Sequence, residues 1–109
     1  MKLRAALLAL LVWAPLSWAD TVWIDVRTPG EFNSGHIDVA KNIEYQNILA
    51  GVKTENVSKN DEILLYCRSG RRASFAMAAL QKAGYKNVKN LGSYGSARRY
   101  MEAMEHKKP

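Results

Sequence analysis

Glu62-Ile-Leu-Leu-Tyr66-Cys67-Arg-Ser-Gly-Arg-Arg72 is the stretch on which the fold turns. Its first residues are almost continuously apolar and β-prone, as in a strand covered on both faces of a parallel sheet. Arg68-Ser-Gly70 then interrupts the strand. Beyond it, Phe75, Ala76, Ala79, Leu80 and Ala83 recur at the spacing of one helix face, and Gly84 closes the run as a helix stop. Strand, tight loop and helix make one unit, from which the rest of the chain can be read outward.

Upstream, Thr21 to Val26 is rich in β-formers and reads as a strand, halted by Thr28-Pro-Gly-Glu31. Thr28 can cap a short helix, and Pro29 suits its first position. Ala40 to Ile43 reads as a short second strand. Tyr45, Ile48, Leu49 and Val52 are spaced for a helix within Glu44 to Val52, and Thr54 to Asp61 is polar and turn-rich. Downstream, Asn87 to Leu91 reads as a strand, Gly92, Ser93 and Gly95 as a turn, and Ser96 to His106 as a last helix. Alternating strands and helices with short connections predict an α/β fold: one domain, a mainly parallel central sheet and flanking helices. The length of 109 residues allows one domain and not two. Ligands of such sheets bind beyond the carboxyl ends of strands, where the Cys67 loop falls.

The N-terminus has a different character. Lys2 and Arg4 precede an apolar run from Ala5 to Leu16, and Ser17-Trp-Ala19 follows with small residues first and third. This is the pattern of a secretory signal peptide over residues 1–19, cleaved after Ala19, with the folded domain at 20–109. Spanning a bilayer takes about 20 apolar residues, so a stable membrane anchor is not expected; an uncleaved anchor or a buried helix is the alternative. The net charge is +6, and removal of Lys2 and Arg4 leaves +4. Such an excess could suit an anionic ligand, nucleic acid or a membrane surface. With no dense basic run beyond 68–72 and Lys107-Lys108, we read it as local anion chemistry and expect no nucleic-acid partner.

Cys67 is the only cysteine. In an oxidising compartment a lone cysteine is either buried and inert or a free reactive thiol. Its neighbours favour the second. A cysteine just ahead of a helix N-terminus meets free N–H groups and the positive end of the helix dipole, which bind anions and favour thiolate over thiol. Gly70 lets the backbone bend so that successive amides converge. Arg68, Arg71 and Arg72 crowd a helix end that prefers acids, a local misfit that an incoming oxyanion would explain. Arg68, Ser69, Gly70, Arg71 and Arg72 are therefore the expected substrate-binding loop around a catalytic Cys67. No metal-ligand spacing is present, and neither a metal nor an organic cofactor is expected. Asp25 and Arg27 end the first strand on the same side, and loop support by an ion pair is expected of them, direct substrate contact by Arg27 being the alternative. Glu31 is expected to pair locally, His36 to be a packed, hydrogen-bonded turn residue with a general base as the alternative, Trp23 to be a core or sheet-face residue, and Tyr94 and Ser96 to line a pocket rim.

Taken together, these residues resemble the rhodanese family. Ile24-Asp-Val-Arg27, Glu31-Phe32, Gly35-His-Ile37 and Ala40-Lys-Asn-Ile43 are similar to its N-terminal signature. Leu65-Tyr-Cys67-Arg-Ser-Gly-Arg-Arg72-Ala73 resembles its active-site strand and loop, and Gly84-Tyr85, Val88 and Leu91 its following strand. The chain looks like the short exported thiosulfate sulfurtransferases of the bacterial phage-shock type. The resemblance implies a rhodanese-like domain in which the Cys67 thiolate takes the outer sulfur of thiosulfate, sulfite leaves, and the persulfide is passed to cyanide or a thiol. With the signal peptide removed, a monomer in the periplasm is expected. Three positions depart from the family pattern: Asp38-Val39 for Pro-Gly, Gly92-Ser93 for Gly-Gly, and no tryptophan in the last helix. A non-enzymatic persulfide carrier is the first alternative. A cysteine phosphatase or arsenate reductase is the second; their loops carry the arginine after five intervening residues, where this chain has Ala73, whereas Arg72 follows four.

Overall fold

In the computed structural model, residues 19–107 are described. The elements are β1 (Thr21–Asp25), α1 (Pro29–Asn33), β2 (Lys41–Asn42), a 3-10 turn (Tyr45–Asn47), α2 (Ile48–Thr54), β3 (Glu62–Cys67), α3 (Arg71–Lys82), β4 (Asn87–Ser93) and α4 (Tyr94–His106). The four strands form one wholly parallel sheet in the order β2-β1-β3-β4. This is the expected α/β architecture, with helices on both faces. The signal peptide read over 1–19 lies outside the described residues but for Ala19. No helix among the described residues is long and apolar enough to cross a membrane.

The alternation of β3 side chains builds the two halves of the core. Ile63, Leu65 and Cys67 point to one face, where they meet Ile48 and Val52 of α2 and Ala73, Ala76 and Leu80 of α3. Leu64 and Tyr66 point to the other, where they join Trp23, Ile37, Ala40 and Ala97 of α4. Ile63, Leu64, Leu65, Ile24 and Leu80 are fully buried. Each such side chain removes enough apolar surface from water to contribute about 1.5–3 kcal/mol.

Chain order reverses between β1 and β3: β2 lies outside β1 on one side, while β3 and β4 lie on the other. The carboxyl ends of β1 and β3 thus flank the sheet's switch point, the usual crevice for a ligand. Cys67 ends β3, and Asp25 and Arg27 stand at the end of β1.

Three details differ from the sequence reading. Phe75 is 54% exposed, because the buried stripe of α3 runs through Ala73, Ala76 and Leu80, and Phe75 falls on its flank against Tyr45 at 6.1 Å. Glu44 to Val52 is a 3-10 turn followed by a helix, with Leu49 left exposed. Gly92, Ser93 and Gly95 do not form a separate turn: β4 runs to Ser93, whose hydroxyl caps α4 by accepting from the Ser96 N–H. A serine at that junction satisfies an orphan helix donor with no linker.

Candidate active site

The loop from Cys67 to Arg72 is a cradle of backbone amides. The Gly70 N–H donates to Cys67 Sγ at 3.0 Å. Gly70 adopts φ +95°, a left-handed conformation that only glycine takes cheaply and that turns its amide back onto the sulfur. Cys67 itself is only 1% exposed, so the sulfur forms the floor of the cradle. Burial pushes the thiol up, but the N–H groups of Ala73, Ser69, Gly70 and Arg72 outweigh it, and the pKa falls below its ordinary value of 9.0. Burial, which could have marked an inert core thiol, here coexists with a lining of donors that favours the thiolate.

The arginines divide into two kinds. Arg72 Nη1 and Nη2 donate to Glu31 Oε1 and Oε2 at 2.8 and 3.1 Å, a bidentate pair joining α3 to α1. Its charge is therefore met from within the chain. Arg68 is outward, with its side chain 74% exposed and Nη1 3.9 Å from Glu31 Oε2. Arg71 lies over the Phe75 ring at 5.9 Å, and its residue is exposed. Of the loop's three arginines, Arg68 and Arg71 are the exposed pair, while Ser69 is exposed between them and accepts from the Arg71 N–H at 3.4 Å.

Glu31 does more than pair locally. It completes the capping box of α1: Thr28 Oγ1 accepts from the Glu31 N–H, and Glu31 Oε1 accepts from the Thr28 N–H. The Arg72 guanidinium, with these Thr28 donors behind it, holds the Glu31 carboxyl at about 2, down from 4.5. The long reach to Arg72 has no signature in local sequence; the cap, Thr28-x-x-Glu31, does.

Asp25 and Arg27 form a buried ion pair at the end of β1. Arg27 Nη2 lies 2.6 Å from Asp25 Oδ2 with both side chains buried, and it donates to the Gly35 carbonyl at 2.7 Å. Its guanidinium also sits over the Tyr66 ring at 5.5 Å and the Tyr94 ring at 5.0 Å, which adds cation–π contact to the ion pair. Tyr66, next to the nucleophile, accepts from the Ile37 N–H at 3.0 Å, and burial raises its phenol. His36 is the turn residue foreseen, stacked on Phe32 at 3.6 Å with Nδ1 2.8 Å from the Phe32 carbonyl. Tyr94 packs against Tyr66 and lines a groove of about 390 Å³ between the 36–39 turn and α4; that groove does not include the Cys67 loop. Ser96 Oγ is bound by Ser93 and Arg99. Among the described residues no group of three or more His, Cys, Asp or Glu could hold a metal.

The sequence profile of the Rhodanese-like domain matches residues 9–96. The chain belongs to the rhodanese-like family. Among relatives with that domain's chemistry in their names, the thiosulfate sulfurtransferase PspE of Escherichia coli is 36% identical over 90 residues, covering 82% of this chain and 86% of the relative. A putative mitochondrial thiosulfate sulfurtransferase of Schizosaccharomyces pombe is 39% identical over 87 residues, 70% of this chain and 61% of that protein. A solved structure of a rhodanese with anions from Escherichia coli superposes with a TM-score of 0.67 at 33% identity, covering 70% of this chain and 89% of that one. Each place where the chain departs from the family pattern has a defined local setting. Asp38-Val39 lies in a turn closed by the Ala40 N–H donating to Ile37 O at 2.8 Å. Ser93 is the cap of α4. Without a tryptophan, α4 covers the sheet with Ala97, Tyr100 and Met101, and Tyr100 meets Trp23 edge-on at 6.0 Å.

Proposed function

We propose that the protein is a thiosulfate sulfurtransferase working through a Cys67 persulfide. The observation that supports this most is the amide-lined sulfur: a lone thiol at the switch point of a parallel sheet, with its pKa lowered by convergent N–H groups. The Cys67 thiolate attacks the outer sulfur of thiosulfate. The S–S bond of thiosulfate breaks, its electron pair leaves with sulfite, and the transferred sulfur remains on Cys67 as a persulfide anion. Cyanide or a thiolate then attacks that terminal sulfur and Cys67 departs as thiolate, leaving electrons and charge balanced.

Charge develops first on departing sulfite and afterwards on the persulfide. The loop amides face the second of these, and preorganised donors cost no rearrangement when the charge arrives. Arg68 and Arg71, exposed at the mouth, draw in and hold the sulfonate end of the donor. Ser69 and Gly70 complete the contact surface. Arg72 acts from behind, bracing the loop through Glu31. Asp25 and Arg27 fix the end of β1 beneath the site. The likeness in sequence to PspE and to the S. pombe sulfurtransferase supports thiosulfate as donor. With residues 1–19 as its signal peptide, the enzyme works in the periplasm as a monomer.

Wild-type protein should form thiocyanate from thiosulfate and cyanide, and Cys67→Ala should form none. Equal product from both would remove Cys67 from the chemistry. Persulfide loading with no turnover to cyanide or thiols would make the protein a carrier.

A further inference from the structure

Asparagine is depleted in strands, yet Asn90 stands within β4. At this point β4 carries one residue more than its neighbour: Leu65 pairs with Asn90, whereas Cys67, two residues on, pairs with Ser93, three residues on. The extra residue makes a bulge, a device that re-aims chain beside active sites. The Asn90 carboxamide bridges it to the catalytic loop. Nδ2 donates to the Gly70 carbonyl at 2.9 Å, and Oδ1 accepts from the Gly92 N–H at 2.8 Å. One contact needs a donor and the other an acceptor, so the orientation of the amide is fixed by chemistry. Gly70 and Gly92 both have left-handed φ, +95° and +89°, and a Cβ on Gly70 would lie 3.2 Å from Gly92 Cα. The two turns touch, and Asn90 is the joint between them.

We propose that Asn90 is a positioning residue for the Cys67 cradle: by holding the Gly70 carbonyl away from the sulfur and against β4, it keeps the loop amides aimed at Cys67. This rests on the reading of Cys67 as a thiolate nucleophile. Across a trans peptide the C=O and the following N–H point in opposite directions, so the held Gly70 carbonyl also sets the Arg71 N–H, which donates to Ser69 Oγ and closes the loop whose other amides face the sulfur. The Gly70 carbonyl is fixed by two donors, the Ser74 N–H at 2.9 Å and Asn90 Nδ2. Without Asn90 only the first turn of α3 restrains it, next to a residue with glycine's freedom to rotate. A rotated peptide would turn a carbonyl dipole toward the thiolate.

The test is the rate of Cys67 alkylation by iodoacetamide against pH, in wild type, Asn90→Ala and Asn90→Asp, with thermal melting followed on each. Both variants should titrate at higher pH than wild type, and at about neutral pH alkylation should slow roughly tenfold, the effect of misaiming a hydrogen bond to an ion. Asn90→Asp keeps the acceptor for Gly92 but offers no donor to Gly70, so it should not restore the wild-type profile. A wild-type titration midpoint in Asn90→Ala, with only the melting temperature lowered, would overturn the proposal. Asn90→Ser, which is too short to span both partners, answers the same question if the alanine variant does not fold. Persulfide formation from thiosulfate is read separately by mass. If wild type forms none, the sulfur-transfer reading falls, while the alkylation profiles still decide for or against Asn90.

Discussion

Glu31→Gln isolates the brace between α1 and α3. The substitution keeps the side chain's size and leaves Oε1 able to accept from the Thr28 N–H, but it removes the charge facing Arg72. The drop of the Glu31 carboxyl from 4.5 to about 2, at about 1.36 kcal/mol per pH unit, sets a ceiling of roughly 3 kcal/mol on what the charged form contributes. Two corrections reduce this. The paired side chains are 27% and 24% exposed, so solvent screens them, and the Thr28 contacts supply part of the shift and survive in the glutamine. A loss of about 1–2 kcal/mol near neutral pH is expected, or roughly 5–10 °C in melting temperature for a domain of this size. The folded-state pKa lies below the unfolded one, so this stabilisation is fully present above 4.5 and disappears as pH falls toward about 2. Urea unfolding of both proteins at a series of pH values should therefore give a constant gap from about pH 5 to pH 8 that closes on further acidification. A gap that persists unchanged to about pH 2, or no gap near neutrality, would refute the brace.

Other substitutions separate the remaining parts of the site. Arg27→Ala leaves the Asp25 carboxylate buried without its cation and should cost about 3–5 kcal/mol, measured by denaturant unfolding; a loss under about 1 kcal/mol would contradict the buried pair. Gly70→Ala forces a Cβ into a left-handed backbone beside Gly92 and should reduce thiosulfate turnover by an order of magnitude or more, while Ser69→Ala should change it far less. Arg68→Ala and Arg71→Ala should each raise the thiosulfate KM several-fold with little change in kcat, and the effect should shrink as salt rises. Salt-insensitive KM values would take these arginines out of substrate capture.

The parts of the fold carried by periodicity were legible in the sequence. The apolar run of β3, the stop at Arg68-Ser-Gly70 and the cap at Thr28 are local signals, and they settle the parallel sheet and the position of Cys67. What sequence could not supply were contacts between residues far apart in the chain. Glu31 and Arg72 are separated by 41 positions, and nothing nearby tells that one of the three crowded arginines already has a carboxylate. Asn90 is 20 positions from Gly70, yet it left a trace, a polar residue out of keeping with its strand. Spacing alone places Phe75 on the buried face because it does not say where a helical stripe is centred; the buried Ala73, Ala76 and Leu80 do.

The central claim is that Cys67 carries the sulfur, and mass spectrometry of the intact protein after treatment with thiosulfate tests it most directly. One added sulfur atom, mapped by peptide analysis to Cys67 and released by cyanide with formation of thiocyanate, is the expected result. An unchanged mass, or the same gain in Cys67→Ala, would contradict the account.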